Sequence, residues 1–282
     1  MNGFHYTLNA GGRLLELSQP QVMGILNCTP DSFYEGSRKQ TEAEIADRAD
    51  EIVAQGGTII DVGAFSTRPG GVEVSEADER ARLRMALSVV QRVQPDVLLS
   101  VDTFRPDVAR MCVEEFGVGI INDVSEGGIT GIAGKALAVS PETDVPAMFR
   151  MVAQLGVPYI LLSVKPTLRE MLPAFAREVQ QLRALGQKDI ILDPGFGFGK
   201  TLEENYSLMN GLEKLQALEL PVLVGISRKS MIWKLLGNTP VEALNGTTAL
   251  HMVSLLKGAS ILRVHDVKAC VEVVRIYQSL TL

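Results

Sequence analysis

The chain has 282 residues, of which 46% are hydrophobic, so it can bury a large core and is not a disordered protein. Its net charge of -6 at pH 7 argues against a surface for nucleic acid or for an anionic membrane, and any basic site has to be local. The first residues lack a basic start followed by an apolar core, and no apolar run reaches the roughly 18 residues of a bilayer span. We therefore expect a soluble protein without a signal peptide.

Three cysteines, Cys28, Cys112 and Cys270, lie far apart in the chain and form no cluster with metal-ligand spacing. Reduced, buried thiols in a cytoplasm fit this pattern best.

The segment from Gly3 to Leu17 surrounds a turn-forming stretch, Asn9 to Gly12, and predicts a β-hairpin that covers the floor of the main fold. After it, a short apolar strand, a polar tip and a segment with helical spacing recur about eight times. The predicted strands are Val22–Asn27, Thr58–Asp61, Leu98–Asp102, Gly119–Asn122, Pro158–Ser163, Ile190–Asp193, Val222–Ile226 and Ile261–Val264. The predicted helices are Thr41–Gln55, Ser75–Val93, Pro106–Glu115, Val145–Leu155, Leu168–Leu185, Leu202–Leu212, Lys229–Leu236, Val241–Lys257 and Val267–Ser279.

This alternation predicts an α/β protein with a (β/α)₈ TIM barrel, preceded by the hairpin and forming one domain over residues 1–282. A doubly wound open sheet is the alternative. The barrel is favoured because polar residues end nearly every strand, and barrel enzymes gather their sites at the carboxyl ends of the strands.

The residues at the strand ends are the candidate functional groups. They are Asn27, Asp61, Asp102, Asn122, Asp193, Lys229, Arg263 and His265. Each alone is also explained as a turn former or a helix cap. Together, Asp102, Asn122, Asp193 and Lys229 can bind a flat heterocycle, because the acids accept from ring N–H groups while Asn and Lys bind its other edge.

Two further features surround these strand ends. Arg263 and His265 alternate about Val264, so both can bind one anion, although a structural histidine is the alternative for His265. The loops NCTPDSF and DVGAFSTRPGG carry Phe33, Phe65 and Arg68, which can cover a ligand, whereas ordinary surface loops are the alternative.

Seven stretches, in order, resemble the dihydropteroate synthase family. They are GILNCTPDSF, DVGAFSTRPGG, SVDTFRPDVA, INDVS, ILDPGFGFGK, VGISRKSMI and RVHDV. The resemblance implies a cytoplasmic (β/α)₈ barrel, usually a homodimer. It also implies a transferase of folate biosynthesis that joins 4-aminobenzoate to 6-hydroxymethyl-7,8-dihydropterin diphosphate and releases diphosphate.

Carried over to this chain, the resemblance implies three groups of site residues. The pterin would be held by Asp102, Asn122, Asp193 and Lys229, with Phe198 and Gly225 lining its pocket. The diphosphate would meet Asn27, Arg263 and His265, with Mg²⁺ bridging its oxygens near Asn27. The aminobenzoate would be bound by Phe33, Thr67, Arg68 and Pro69.

Three departures from the family's pattern stand out. The strand-five tip reads Leu162-Ser163-Val164-Lys165-Pro166 where the family usually has Met-His and a Gly-bearing loop. Ala64 and Phe65 replace a Gly-Glu pair, and residues 127–144 form a longer connection than usual. Two other functions therefore stay open: a non-catalytic or altered-specificity pterin-binding paralogue, and a pterin-dependent methyltransferase, which has no need of the diphosphate residues.

Overall fold

The computed structural model describes residues 5–28, 38–64, 74–128 and 145–281. A two-stranded antiparallel hairpin comes first, and alternating parallel strands and helices follow. The strands are β1 (Thr7–Ala10), β2 (Arg13–Glu16), β3 (Gln21–Asn27), β4 (Ile59–Gly63), β5 (Leu98–Asp102), β6 (Ile120–Asp123), β7 (Tyr159–Leu162), β8 (Ile190–Asp193), β9 (Leu223–Val224) and β10 (Ile261–Val264). The helices are α1 (Arg38–Ala54), α2 (Glu76–Val93), α3 (Pro106–Phe116), α4 (Ala147–Leu155), α5 (Leu168–Ala184), α6 (Leu202–Asn210), α7 (Ser230–Leu236), α8 (Leu244–Leu256) and α9 (Val267–Thr281).

The parallel strands form a barrel. Their order is β8-β7-β6-β5-β4-β3-β10-β9, and a parallel bridge between Leu192 and Val222 joins the two ends. The N–H of Leu192 donates to the carbonyl O of Pro221 at 2.9 Å across this seam. The predicted TIM barrel with an N-terminal hairpin is therefore confirmed.

The hairpin closes the amino end of the barrel. Its turn uses Gly11 and Gly12, whose φ angles of 63° and 89° lie in the left-handed region that glycine adopts without steric cost. Leu8 and Ala10 of β1 are buried against apolar residues near the amino ends of the barrel strands. These barrel residues are Met23, Ile59, Ile120, Ile160, Ile191, Leu223 and Ile261. Apolar side chains thus fill the amino end of the barrel, so a polar site has to lie at the carboxyl end.

Close packing fixes the helices against the outside of the barrel. A Cβ atom on Gly24 of β3 would lie 2.5 Å from Cγ2 of Ile52, a fully buried residue of α1. Glycine at this position therefore sets how closely α1 approaches β3, because interiors are packed to crystal-like density.

The glycine-rich loop after β8 is anchored at both ends. Gly195, Gly197 and Gly199 have φ angles of 64°, 80° and 61°. A capping box starts α6 behind the loop: the N–H of Glu204 donates to Thr201 Oγ1 at 3.2 Å, and the N–H of Thr201 donates to Glu204 Oε2 at 2.7 Å. The loop therefore runs between a barrel strand and a fixed helix start.

Several element boundaries differ from the prediction by one to three residues. β4 continues two residues beyond Asp61, to Gly63, so Asp61 lies inside the barrel and not at its rim. β9 covers only Leu223–Val224 of the predicted Val222–Ile226. α8 begins at Leu244 and not at Val241, because Glu242 accepts hydrogen bonds from the N–H and Oγ1 of Thr239 in a turn.

Candidate active site

A buried guanidinium joins two carboxylates at the carboxyl end of the barrel. Arg263 of β10 donates from Nε to Asp61 Oδ2 at 2.6 Å and from Nη2 to Asp102 Oδ2 at 3.0 Å. Its Nη1 makes no hydrogen bond with any residue that the structure describes. Burial lowers the pKa of Arg263, but Asp61 and Asp102 outweigh it and raise that pKa. The charge on Arg263 is therefore permanent, and both N–H groups of Nη1 remain for a ligand.

Asp61 is the centre of this network. Besides Arg263, it accepts from Ser100 Oγ at 2.6 Å and from Asn122 Nδ2 at 3.1 Å. Its side chain is fully buried. Residues from four strands, β4, β5, β6 and β10, are thus held together by one carboxylate, which fixes the orientation of the Asn122 amide.

In that orientation, the amide oxygen of Asn122 is buried and has no partner in the part of the chain that the structure describes. Asn122 is 2% exposed, and its Oδ1 has no hydrogen-bond partner among the described residues. Nearly all buried polar atoms in folded proteins are paired, so an unpaired acceptor beside a cluster of functional groups indicates a ligand donor. The Oδ1 atom of Asn122 is a candidate contact for an N–H group.

Asp102 ends β5 next to this acceptor, since the register places it opposite Asn122. Burial raises the pKa of Asp102 to about 7; Arg263 opposes the shift, and Asp61, Asp123 and Glu79 add to it. The carboxyl group therefore changes its charge near neutral pH.

Asp193 ends β8 and is held by the glycine-rich loop. Its Oδ1 accepts from the N–H of Gly195 at 2.8 Å. Burial raises the pKa of Asp193, while Lys229, the Gly195 N–H and Arg263 lower it. The same arginine thus acts on the acids of β5 and β8, which places both at one mouth of the barrel.

Lys229 precedes α7 and reaches the same loop. Its Nζ donates to the carbonyl O of Phe196 at 2.5 Å and lies 4.6 Å from the centroid of the Phe198 ring. Burial lowers the pKa of Lys229 to about 8, and Asp193 opposes the shift. An ammonium group, an aromatic ring and a carboxylate therefore surround one position.

Three other predicted residues lie on the same rim. Gly225 follows β9 and is buried; among the described atoms, a Cβ there would meet only Arg263 Cβ, at 3.9 Å, so its backbone leaves an open wall beside the arginine. Asn27 ends β3 and is exposed. His265 follows β10, is half-buried, and receives a hydrogen bond on its carbonyl O from Arg48 Nη2 at 2.7 Å.

Five predicted residues lie outside the described residues. These are Phe33, Thr67, Arg68 and Pro69, predicted to bind aminobenzoate, and Phe65, predicted to help cover a ligand. Their assignment stays a prediction.

Sequence reasoning missed two residues of this site. It placed Asp61 at a strand tip but gave it no role, and it did not consider Lys200, whose Nζ donates to the carbonyl oxygens of Ser163, Gly195 and Phe198 at 3.2, 2.9 and 3.3 Å. The available sequence signal was that Asp61 is a charged residue among the apolar residues of Ile-Ile-Asp-Val-Gly. A lysine bonded only to backbone oxygens gives no sequence signal.

The altered strand-five tip corresponds to β7 in the structure. Leu162 and Ser163 are both fully buried, and Leu162 Cδ2 would lie 3.2 Å from a Cβ on Gly195. Leu162 therefore packs against the glycine-rich loop, and Ser163 follows it under the same loop.

Fold and site together define an α/β-barrel enzyme whose mouth combines carboxylates, an amide and cations. Among the described residues, no group of three or more His, Cys, Asp or Glu side chains could hold a metal ion by itself. None of the described helices is long and apolar enough to cross a membrane.

The sequence and the fold are similar to those of known pterin-binding enzymes. The family described as "Pterin binding enzyme" matches residues 23–265. Dihydropteroate synthase of Escherichia coli strain K12 is 39% identical over 278 residues, covering 96% of this chain and 95% of that protein. A dihydropteroate synthase of Streptococcus pyogenes is 40% identical over 261 residues, covering 92% and 95%.

Solved structures agree. The Xanthomonas albilineans dihydropteroate synthase with 4-aminobenzoic acid has a TM-score of 0.83 at 33% identity, covering 98% of both chains. A Yersinia pestis dihydropteroate synthase with a sulfonamide drug has a TM-score of 0.82 at 34% identity, covering 98% of this chain and 99% of the other. The chain belongs to the pterin-binding enzymes and, within them, to the dihydropteroate synthase family of transferases.

Proposed function

We propose that this chain joins 4-aminobenzoate to 6-hydroxymethyl-7,8-dihydropterin diphosphate, giving 7,8-dihydropteroate and diphosphate. The observation that carries the proposal is the buried Oδ1 of Asn122, which has no partner in the described part of the chain and is held by Asp61 between the acids of β5 and β8. A pterin ring presents a matching edge of N–H and NH₂ donors, with a carbonyl oxygen beside them.

The site residues divide the pterin between them. Asn122 Oδ1 and the carboxylates of Asp102 and Asp193 accept from the ring's N–H groups, and Lys229 Nζ donates to its carbonyl oxygen. Phe198 and Gly225 line the pocket, one with a ring beneath the ammonium group and the other with bare backbone. When the ring binds, Lys229 Nζ either gives up its hydrogen bond to the carbonyl O of Phe196 or donates to both oxygens.

The reaction breaks the bond between the pterin methylene carbon and the bridging diphosphate oxygen. The electron pair leaves with diphosphate, and the positive charge that develops spreads into the ring, where Asp102 and Asp193 stabilise it. The amine nitrogen of 4-aminobenzoate forms the new bond to carbon and then loses a proton. No nucleophile from the protein is needed.

The leaving diphosphate meets cationic and amide groups on β10 and β3. Arg263 offers the two N–H donors of Nη1, and His265 and Asn27 lie at the ends of the adjacent strands. Neutralisation of the developing negative charge makes diphosphate a better leaving group.

Magnesium fits this rim as an ion carried largely by the diphosphate. A Cβ on Gly63 would lie 3.4 Å from Asn27 Oδ1, so glycine there leaves space beside the amide oxygen. Mg²⁺ keeps several waters and takes few protein ligands when phosphates bind it. Asn27 would hold the ion, which would supply additional neutralisation of the diphosphate oxygens.

We also assign the 4-aminobenzoate site to Phe33, Thr67, Arg68 and Pro69. The support is the match of NCTPDSF and STRPGG to the family's loops. The Xanthomonas relative binds 4-aminobenzoic acid, as its name states.

An assay of diphosphate release with both substrates tests the proposed reaction. We expect release that depends on 4-aminobenzoate and on Mg²⁺. No such release at millimolar substrate would overturn the proposal. Calorimetry with the pterin alone then distinguishes a non-catalytic paralogue, which would bind the pterin without turnover; the altered tip of β7, Leu162 and Ser163, is the observation that favours this second candidate.

Lys229→Ala is expected to weaken pterin binding by about 1.5–3 kcal/mol, because it removes a charge-assisted hydrogen bond inside the barrel mouth. Calorimetric titration with pterin measures the change. Lys234→Ala is the matched control, since Lys234 lies on the same helix, is exposed, and has its Nζ over the Trp233 ring at 5.6 Å. Equal affinities of the Lys229 variant and the unmodified chain would show that the pocket is misassigned.

The pH profile of kcat/KM is expected to be bell-shaped and narrow. Asp102 binds the pterin when ionised, so activity rises with pH through its pKa of about 7. Lys229 binds when protonated, so activity falls as pH rises through its pKa of about 8. A steady-state series from pH 5 to pH 10 reports both limbs, since kcat/KM follows groups of the free enzyme.

Lys229→Arg tests the assignment of the alkaline limb. A guanidinium keeps its charge to about pH 12, so the fall above the optimum is expected to disappear in this variant. A fall that persists unchanged would assign the limb to another group.

We propose that the chain forms a homodimer through α7 and α8. The sequence of α8 is apolar on most sides, yet Leu256 is 49% exposed; on neighbouring α7, Leu235 and Leu236 are 54% and 53% exposed. Helices that are apolar all round are normally covered, and a second copy would cover this surface. Sedimentation equilibrium tests the assignment: a monomer at micromolar concentration would contradict it.

A cytoplasmic location is also proposed. Its support is that Cys28, Cys112 and Cys270 are buried free thiols. Burial raises the pKa of each thiol to about 12, which keeps them unreactive.

A further inference from the structure

Ser163, the residue after β7, sets the position of the loop that carries Asp193. The N–H of Ser163 donates to the carbonyl O of Asp193 at 2.9 Å, and its carbonyl O accepts from Lys200 Nζ at 3.2 Å. That carbonyl O would lie 2.2 Å from a Cβ on Gly195. Because the N–H of Gly195 donates to the Asp193 carboxylate, a shift of Ser163 displaces the group that orients this acid.

Glu126 holds the side chain of Ser163. The hydroxyl of Ser163 donates to Glu126 Oε1 at 3.0 Å and accepts from the N–H of Lys165 at 3.3 Å. Glu126 is fully buried, and its φ of 55° lies in the left-handed region that few residues other than glycine adopt. A buried carboxylate in such a conformation costs stability, and costs of this kind are concentrated at functional sites.

The corner that carries Glu126 is rigid. Asp123 at the end of β6 accepts from the N–H groups of Ser125 and Gly127 at 2.7 and 2.9 Å. It also accepts from the hydroxyl of Tyr159, the first residue of β7, at 2.7 Å. The Glu126 carboxylate is therefore fixed relative to both β6 and β7.

We infer that Glu126 is a positioning residue of the pterin site, which acts through the Ser163 hydroxyl to fix the glycine-rich loop and thereby the Asp193 carboxylate. Ser163 lies at the strand end where the resembled family usually has Met-His, and in this chain Glu126, from the corner that follows β6, holds this serine. The consequence for binding rests on the proposed function, because it requires that Asp193 binds the pterin.

Two readouts on Glu126→Ala, Glu126→Gln and Ser163→Ala test the inference. The first is calorimetric affinity for 6-hydroxymethylpterin, together with the KM for 4-aminobenzoate. We expect Glu126→Ala and Ser163→Ala to weaken pterin binding about tenfold or more, with the KM for 4-aminobenzoate within about twofold of the unmodified value. Glu126→Gln keeps an acceptor for Ser163 and is expected to recover most of the affinity.

The second readout needs no substrate. Amide hydrogen exchange of the peptide covering residues 193–200 is expected to be faster in Glu126→Ala and Ser163→Ala than in the unmodified chain, and near normal in Glu126→Gln. Should Glu126→Ala fail to fold, the smaller change Ser163→Ala decides both readouts.

Glu178→Gln is the matched control. Glu178 on α5 is also a buried glutamate, 6% exposed, and its Oε2 has no partner among the described residues; burial and, after it, the charge of Glu126 raise its pKa to about 8. It makes no hydrogen bond to Ser163 among the described residues. We expect unchanged pterin affinity and unchanged exchange in this variant.

Three results would overturn the inference: unaltered pterin affinity in folded Ser163→Ala and Glu126→Ala, unaltered exchange of residues 193–200, or an equal loss of affinity in Glu178→Gln. An unmodified chain that does not bind the pterin would instead overturn the proposed function, and the exchange data alone would then decide whether Glu126 fixes the loop.

Discussion

Replacing Arg263 with methionine is expected to lower the free energy of unfolding by about 3–5 kcal/mol and to remove measurable diphosphate release. The substitution leaves Asp61, fully buried, and Asp102, with 19% of its side chain exposed, without the guanidinium that now contacts both. Removing one partner of a buried ion pair is costly because the remaining charge stays away from water. Urea denaturation followed by circular dichroism measures the stability change.

The double variant Asp61→Asn, Arg263→Met separates the ion pair from simple packing. Asn at 61 removes the stranded charge, so the double variant is expected to be more stable than Arg263→Met alone, by about 1–3 kcal/mol. Its activity is expected to stay absent, because the donor for diphosphate is still missing. A double variant no more stable than the single one would mean that the methionine destabilises through shape and not through charge.

The polar strand ends could be predicted because parallel strands in a barrel end at the same rim. Asp102 and Asn122 are neighbours in the observed register, and Asp193 ends the strand predicted for it. Apolar runs followed by one polar residue specify such ends, and the resemblance to known motifs supplied their roles. In the structure, Asp102, Asn122 and Asp193 lie at the carboxyl ends of their strands, as expected, while their roles in binding stay a prediction.

The role of Asp61 could not be predicted in the same way. Its strand was expected to end at Asp61, whereas β4 runs on to Gly63. Val62 and Gly63 extend the strand because β3 and β5 pair with them on both sides. This pairing depends on the two adjacent strands and not on the local sequence of β4. Strand boundaries depend on tertiary contacts of this kind, so a single sequence places them poorly.

Contacts made by backbone oxygens were also invisible in the sequence. Lys200 was known only as the last residue of the glycine-rich stretch, yet it joins that loop to the end of β7 through three carbonyl groups. Burial lowers the pKa of Lys200 to about 8, while Asp193 and Glu126 raise it. Lys200 joins the ends of β7 and β8 because of its position in the fold, which its residue type does not indicate.

Gly195→Ala is expected to destabilise the chain by about 2–5 kcal/mol. It is also expected to weaken pterin binding more than an alanine substitution at a later glycine of the same loop. Two costs add. An alanine pays about 1–2 kcal/mol for the left-handed conformation that Gly195 adopts at a φ of 64°. Its Cβ would also lie 2.2 Å from the carbonyl O of Ser163, a backbone atom that cannot rotate away, and forced overpacking costs about 1–3 kcal/mol.

Gly199→Ala measures the first cost alone. Gly199 has nearly the same φ, 61°, but a Cβ there would have no heavy atom of the described residues within 4 Å, so only the conformational cost of about 1–2 kcal/mol is expected. The difference between the two variants in urea denaturation therefore measures the contact between residue 195 and Ser163. Pterin affinity is expected to fall only in Gly195→Ala, since the N–H of residue 195 orients the Asp193 carboxylate. Equal losses of stability in both variants would mean that the loop moves away from β7 without cost, and that Asp193 is not held by this contact.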